Sequence, residues 1–175
     1  MALGLLIIVG SVFRVLGFAP QIAMAVFAGA VIKDKKLAFI FPLFSMLLSD
    51  VIYQVLYMNG LVEYTGFYSG QVTNYILIMG LTFFGMLIKK WNLLRISAAV
   101  IAAPVTYFLL SNFLVWAGGG GYQRPKTVEG LMLCYNDALP FFRSSLETTA
   151  VFSILLFGGY YLINRYVLHQ KQQLA

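Results

Sequence analysis

Charged and amide side chains that lie inside or beside apolar segments are the residues of this sequence best suited to chemistry. Asp50 is the clearest case, because it stands within a long apolar run with Ser49 and Tyr53 as polar neighbours. A charge in hydrocarbon costs free energy unless it faces a cavity or a partner. We therefore expect Asp50 to contact a ligand or cation, to act as a proton-sensitive group, or to form a structural ion pair with Arg14 or Arg143.

The two arginines leave similar alternatives open. A guanidinium group binds carboxylates and phosphates through two parallel hydrogen bonds, so Arg14 is suited to contact an anionic substrate. It could equally reach the lipid headgroups or pair with Asp50. Arg143 and Glu147 are four residues apart, which is the spacing of an ion pair along a helix. The alternative for Arg143 is a place in a binding cavity.

Four further residues are candidates for that cavity. Asn112 and Trp116 share one helical face, where an amide and a stacking indole suit a flat polar ligand. Trp116 is also typical of the aromatic belt at a membrane surface. Tyr122 and Asn136 lie in the long segment that follows. We predict that a small-molecule substrate contacts Arg14, Asp50, Asn112, Trp116, Tyr122, Asn136 and Arg143.

Enzyme motifs are not found in the sequence. It contains no Walker A sequence and no H-E-x-x-H, and its single histidine, His169, lies in a polar tail. The single cysteine, Cys134, excludes a multi-cysteine metal site. We therefore expect no catalytic residue, no metal and no cofactor. A membrane-embedded enzyme acting on lipids would use Asp50 and Asp137, but these form no paired-carboxylate motif.

The composition indicates which elements hold these residues. Hydrophobic residues make up 61% of the 175 residues and charged residues only 10%, which is typical of a membrane protein and not of a soluble domain. The basic residues separate apolar runs and form no exposed stripe, so a nucleic-acid partner is not expected. A spanning helix needs about 20 apolar residues. Four runs satisfy this, at 37–58, 71–88, 96–116 and 144–163.

The first 32 residues allow two interpretations. Apolar runs at 1–13 and 21–32 are separated by Arg14 and Pro20. They form either two helices joined by a turn at 17–20, or one long kinked helix with Arg14 in its middle. Proline suits the first position of a helix, which favours two helices and six spans. The run lacks the charged start of a secretory signal peptide, so we treat it as mature sequence.

Basic residues concentrate in alternate connections. Eight of the 12 follow the second, fourth and sixth spans, accompanied by a single acid, Asp34. They are Lys33, Lys35, Lys36, Lys89, Lys90, Arg95, Arg165 and Lys171. The positive-inside rule then places these segments and both termini in the cytoplasm, for a multi-pass protein of the inner (cytoplasmic) membrane.

The long segment 117–143 opens with four consecutive glycines at 118–121, which would hinge a lid. Its later part, 127–142, is too mixed in polarity for a span and too apolar for a solvated loop. We expect a short interfacial or re-entrant helix here, since irregular backbone at that depth needs protein or a watery cavity around it. The predicted fold is therefore an all-α integral membrane protein. It is a single transmembrane domain, 1–175, with about six helices and this extra segment before the last one.

Small residues crowd the second span. Ala23, Ala25 and Gly29 allow another helix to approach closely, because small side chains bring backbones together in lipid. The approaching helix belongs either to this same bundle or to a separate membrane subunit.

Several runs resemble a bacterial family of proposed membrane transport proteins. They are FAPQIAMAVFAGA at 18–30, Pro42-Leu43, Ser49-Asp50, NFLVW at 112–116, Gly130-Leu131, Cys134-Tyr135 and ALPFFR at 138–143. The architecture is in turn similar to the substrate-binding S components of energy-coupling factor (ECF) importers. That resemblance implies capture of a vitamin-like micronutrient at the outer face. It also implies a membrane coupling subunit docking on small residues of the first helices, and two ATPases.

The sequence therefore predicts a transport protein without enzyme activity, which captures a small molecule and is energised by a separate partner. The alternative is a structural membrane subunit that assembles with other membrane proteins and binds no small molecule.

Overall fold

The computed structural model describes residues 2–15, 19–89 and 91–165, and within these ranges it contains helices and loops without strands. The six helices are α1 (Ala2–Val15), α2 (Gln21–Val31), α3 (Lys35–Met58), α4 (Gln71–Met86), α5 (Leu93–Gly118) and α6 (Val128–Ile163). The prediction of six helices, with two short ones at the N-terminus, is confirmed. The predicted turn at 17–20 lies partly outside the described residues. Lys90, His169 and Lys171 lie entirely outside them.

Three of the six helices are long and apolar enough to cross a membrane. These are α3, α5 and α6, with 24, 26 and 36 residues. The helices α1, α2 and α4 have 14, 11 and 16 residues, fewer than the ~20 that cross a bilayer at 1.5 Å per residue. A membrane protein is therefore supported, whereas six helices of full spanning length are not.

Side-chain caps define the start of each long helix. Asp34 begins α3, Asn92 begins α5 and Thr127 begins α6. In each case a side-chain oxygen accepts hydrogen bonds from first-turn backbone N–H groups at 2.8–3.3 Å. Such caps satisfy donors that have no partner within the helix.

The last helix differs from the prediction. We expected a separate interfacial or re-entrant segment followed by a span starting near Ser144, but Val128 through Ile163 form one continuous helix. Pro140 lies inside this helix without ending it. Thr127 accepts a hydrogen bond from the Gly130 N–H and so provides the N-cap of this continuous helix.

The short helix α2 forms the centre of the bundle. All of residues 21–29 are buried, and α2 contacts α3, α4, α5 and α6. Its closest approach is to α4, since a Cβ atom built on Gly29 would lie 2.1 Å from the backbone oxygen of Thr82. A Cβ atom on Gly85 would lie 1.9 Å from the backbone oxygen of Val26. Only glycine permits this crossing.

The sequence left two neighbours open for this surface, a helix of the same bundle or a separate membrane subunit, and the structure places a helix of the same bundle on it. Ala23 and Ala25 are fully buried and Gly29 packs on α4, so the small residues serve packing within the chain itself. The sequence identified a close helix approach, but the neighbour is α4.

The two ends of the bundle differ in character. Consecutive helices in contact and joined by short connections run antiparallel. One end therefore holds the connections 32–34 and 87–92 and the C-terminus of α6, and we call it the basic end because six of the basic residues cluster there. They are Lys33, Lys35, Lys36, Lys89, Arg95 and Arg165. The opposite end, which we call the loop end, holds residues 19–20, 59–70 and 119–127.

Candidate functional site

A buried ion pair joins α1 to α3 towards the loop end. Arg14 donates from Nη1 to Oδ1 of Asp50, whose residue surface is only 1% exposed. Of the alternatives left open by the sequence, pairing of Asp50 with Arg14 is confirmed, and Arg143 takes no part. Two buried charges tolerate their loss of hydration only when they neutralise each other and their remaining polar atoms are bonded.

The second carboxylate oxygen of Asp50 is also occupied. Gln71 donates from Nε2 and Tyr75 donates from its hydroxyl to Oδ2, and both residues lie at the start of α4. Gln71 and Tyr75 are also hydrogen-bonded to each other at 3.0 Å. Asp50 therefore ties α1, α3 and α4 together, with both carboxylate oxygens engaged and almost no surface accessible to a ligand in this conformation.

Further hydrogen bonds fix the arginine. Its Nη1 atom also donates to the Ser49 hydroxyl and, at 3.3 Å, to the backbone oxygen of Met46. The hydroxyl of Tyr53 donates to the backbone oxygen of Arg14 at 3.0 Å. These contacts hold the end of α1 against α3.

The same cluster positions the loop 59–70. The Gly66 N–H donates to Oε1 of Gln54 at 3.1 Å, and Gln71 Nε2 approaches the Gly66 oxygen at 3.4 Å. A Cβ atom on Gly66 would lie 1.9 Å from the backbone oxygen of Asp50, so the loop backbone is pressed directly against α3. The end of this loop, 68–70, is thereby held where it forms the wall of a cavity.

That cavity, of about 470 Å³, lies at the loop end between α4 and α5. We call it the α4–α5 cavity. Its volume falls within the 300–1,000 Å³ range of small-molecule sites. It is lined by Tyr68, Ser69, Gly70, Thr73, Asn74, Leu77, Tyr107, Ser111, Leu114, Val115, Gly118 and Gly120. The lining contains no charged residue, but it presents hydroxyls, an amide and two tyrosine rings.

Hydrogen bonds across the cavity organise its polar groups. The Tyr107 hydroxyl donates to Oδ1 of Asn74 at 2.6 Å, and Asn74 donates from Nδ2 to the Tyr68 hydroxyl at 2.9 Å. This chain runs from α5 through α4 to the loop. A preorganised set of donors and acceptors beside aromatic rings is suited to binding a small polar molecule.

A smaller cavity of about 190 Å³ lies next to the first, between α5 and α6. The two cavities share Tyr107 and Ser111, which are four residues apart on α5. Asn112 lines the smaller one and donates from Nδ2 to the backbone oxygen of Phe108 at 2.7 Å. The predicted residue Asn112 therefore lies beside the α4–α5 cavity and not in its lining.

The loop 119–127 is fastened to both neighbouring helices. Trp116 donates from Nε1 to the backbone oxygen of Pro125 at 2.8 Å. Arg124 makes two hydrogen bonds to Asp137 of α6, both at 2.9 Å, and this bonding raises the pKa of the Arg124 guanidinium. The Arg124 guanidinium lies 5.6 Å from the ring centre of Tyr122, which is 79% exposed. These contacts hold residues 124 and 125 of the loop against α5 and α6, whereas the glycines at 118–121 are exposed.

Comparison with known proteins adds a family and no function. Residues 1–173 match a family described as a family of unknown function, DUF6580. The chain belongs to this family. Neither the curated proteins nor the solved structures compared with this DUF6580 chain contain a match.

The structure of the DUF6580 chain separates the seven predicted contact residues. Arg14 and Asp50 meet, whereas Trp116 and Tyr122 lie at the 119–127 loop. Asn136 is exposed on α6. Arg143 is also exposed, with 84% of its side chain accessible, and donates to Glu147 at 2.9 Å, which confirms the predicted i,i+4 ion pair.

Sequence reasoning about the DUF6580 chain missed Asn74, Tyr107 and Ser111. A signal for them was present, because Gln71, Asn74 and Tyr75 are polar at the i, i+3, i+4 spacing of one helix face. The spacing does not reveal that Asn74 faces α5 whereas its neighbours face Asp50. Within the ranges that the structure describes, no three His, Cys, Asp or Glu side chains are grouped to hold a metal ion.

Proposed function

We propose that this protein is a multi-pass membrane protein that captures a small, uncharged polar molecule in the α4–α5 cavity for transport. The observation that carries this proposal is the cavity itself, which has the volume of a small-molecule site and a lining of hydroxyl, amide and aromatic groups. The hydrogen-bonded chain of Tyr107, Asn74 and Tyr68 supports it, because such preorganisation lowers the entropy cost of binding.

The absence of charge in the cavity lining defines the class of ligand. An ionised ligand would lose hydration on entering the cavity and find no opposite charge among the lining residues. The nearby charges of Arg14 and Asp50 neutralise each other. An uncharged, vitamin-like molecule with hydrogen-bonding groups and a flat ring fits this lining. Its polar groups can bond to the hydroxyls and the amide, and its ring can stack on the tyrosine rings.

The proposed orientation places the loop end outside the cell. Basic residues concentrate at the opposite end of the bundle, and the positive-inside rule assigns that end to the cytoplasm. The cavity then opens outward, both termini lie in the cytoplasm, and the membrane is the inner one. The six helices would all lie within the bilayer, with the short α2 enclosed by its neighbours.

Energy for transport would come from other chains, because the sequence contains no phosphate-binding loop. We propose an arrangement like that of ECF S components, with a membrane coupling subunit and ATPases. The coupling subunit would contact exposed apolar surface of the bundle, since Ala23, Ala25 and Gly29 are buried against other helices of this chain.

Retention of metabolites by matched variants tests the proposal. Gly118 lines the cavity, and a Cβ atom built on it meets no other atom within 4 Å, so Gly118→Leu fills the space without a backbone clash. Gly80 is equally open but lies outside the cavity lining, so Gly80→Leu is the matched control. Each purified protein is incubated with a bacterial metabolite extract, washed, and analysed by mass spectrometry.

We expect a small uncharged polar molecule that the wild type and Gly80→Leu retain and Gly118→Leu does not. Equal retention by all three proteins, or no specific retention by the wild type, would contradict capture in this cavity. A stoichiometric partner protein recovered without any small molecule would instead favour the structural membrane subunit.

A further inference from the structure

A second and larger cavity lies towards the basic end of the bundle. It is a groove of about 670 Å³ between the first half of α5 and the second half of α6. We call it the α5–α6 groove. Its walls are mainly apolar and include Leu93, Ile96, Val100, Ile101, Ile154 and Phe157. A groove of this composition suits a hydrocarbon chain and offers little to a polar molecule.

One wall of the groove contains a hydroxyl whose hydrogen bonding is incomplete. Ser153 is only 4% exposed, and its Oγ atom has no hydrogen-bond partner among the residues that the structure describes. Buried polar groups are nearly always bonded, so such a group indicates a missing partner. The Oγ atom itself is inaccessible in this conformation, and rotation about the Cα–Cβ bond to another staggered position is the movement that would turn the hydroxyl towards a ligand carbonyl.

The rim of the groove combines aromatic rings with positive charge. Trp91 and Tyr161 both line it. Arg165 donates from Nη1 to the Tyr161 hydroxyl at 3.0 Å, which places a guanidinium at the groove. Aromatic residues next to arginine are typical of the level at which lipid headgroups lie.

We propose that the α5–α6 groove binds an anionic phospholipid, with an acyl chain along the apolar walls and the headgroup beside Arg165. Charge complementarity selects this occupant, because Arg165 adjoins the groove through Tyr161 at the end of the bundle proposed above to face the cytoplasm, where basic residues attract anionic headgroups. The Ser153 hydroxyl donates to an ester carbonyl of the lipid. The inference depends on membrane insertion but is independent of ligand capture at the loop end.

Two pairs of neighbouring small residues make the site testable, because one member of each pair lines the groove and the other does not. Gly158 lines the groove and Gly159 is not among its lining residues, yet a Cβ atom on either meets no other atom within 4 Å. Gly158→Leu therefore fills the groove and Gly159→Leu is its control. On the opposite wall, Ser97 lines the groove and its exposed neighbour Ala98 is not among the lining residues, so Ser97→Trp and Ala98→Trp form a second pair.

The probes are phosphatidylglycerol and phosphatidylcholine with identical acyl chains, mixed in equal amounts in nanodiscs. Native mass spectrometry counts the lipids that remain on the protein after release. We expect the wild type, Gly159→Leu and Ala98→Trp to retain phosphatidylglycerol, and Gly158→Leu and Ser97→Trp to lose it. Arg165→Gln should reduce the preference for phosphatidylglycerol about fivefold, the effect of one surface arginine on an anionic lipid.

Equal retention of the two lipids by the wild type would overturn the proposal, as would unchanged retention in both groove-filling variants. Loss of retention in the controls to the same extent would also overturn it, because the effect would then not be local. Failure of capture at the α4–α5 cavity leaves these outcomes unchanged, so the two proposals fail separately.

Discussion

Replacing Asp50 by asparagine removes the carboxylate charge that faces Arg14 while keeping the size of the side chain. The carboxylate is nearly inaccessible and accepts hydrogen bonds from Arg14, Gln71 and Tyr75. The amide retains one acceptor oxygen, whereas its NH2 group replaces the other oxygen and faces either the Arg14 donor or the Gln71 and Tyr75 donors. Arg14 is left partly buried without a counter-charge.

The expected cost follows from that geometry. Breaking a buried ion pair by removing one partner lowers the free energy of unfolding by about 3–5 kcal/mol. For a chain of 150–250 residues, each kcal/mol shifts the melting temperature by about 2–4 °C, so Asp50→Asn should melt about 6–20 °C below the wild type. The shift is measured by heating the purified protein to a series of temperatures and determining by size-exclusion chromatography the fraction that remains folded.

Two variants serve as controls in the same assay. Arg143→Gln removes an arginine whose partner, Glu147, is also exposed, so its melting temperature should equal that of the wild type. Arg14→Gln combined with Asp50→Asn removes both charges, so the double variant should lose less stability than the sum of the two single losses. An unchanged melting temperature for Asp50→Asn, or additive losses in the double variant, would refute a stabilising role for the pair.

Three further outcomes follow from the packing and the loops. Gly29→Ala places a Cβ atom against the α4 backbone and should lower the free energy of unfolding by about 1–3 kcal/mol. Gly80→Ala, where a Cβ atom meets no other atom within 4 Å, should not lower it. Equal losses of melting temperature in the two variants would mean that the helix crossing at Gly29 is not tight. Asp137→Asn removes the ion pair with Arg124, one of the two contacts that hold the 119–127 loop, and should speed tryptic cleavage after Lys126; an unchanged rate would mean that the ion pair does not fasten the loop. Tyr107→Phe removes a cavity hydroxyl and its hydrogen bond to Asn74, so it should weaken metabolite retention and lower the free energy of unfolding by only about 1 kcal/mol; full retention would exclude a role for that hydroxyl.

The helical content was predictable because composition and apolar run length determine it. The runs at 37–58, 71–88 and 96–116 correspond closely to α3, α4 and α5. Separation of α1 from α2 was also predictable, because Pro20 suits the start of a helix and disfavours its interior.

The continuity of α6 was not predictable from the same rules. Its first half contains Glu129, Asn136 and Asp137, which lower its hydropathy below that of a span. Hydropathy reports the expected environment of a segment and not where a helix ends. The cap at Thr127 sets the start of the helix, and the ion pair of Asp137 with Arg124 satisfies the charge that made the segment look like a loop.

The ion pair was predictable and the cavity was not. Asp50 and Arg14 are isolated charges in apolar sequence, so pairing was among a few possible outcomes. The α4–α5 cavity depends on how far two helices separate at one end, which no single residue encodes. Asn74 and Tyr107 are 33 positions apart and meet only because α4 and α5 pack antiparallel.

The central claim is that the α4–α5 cavity opens to the outside of the cell and binds a small molecule. Cysteine accessibility in intact cells tests this claim most directly. In a Cys134→Ala background, Thr73→Cys places a thiol at an exposed position of the cavity lining, and Lys89→Cys places one in a connection at the basic end. A membrane-impermeant maleimide should label Thr73→Cys but not Lys89→Cys, and a metabolite extract should slow the labelling of Thr73→Cys. Labelling of Lys89→Cys from outside would contradict the orientation, and labelling of Thr73→Cys that no metabolite slows would contradict capture in the cavity.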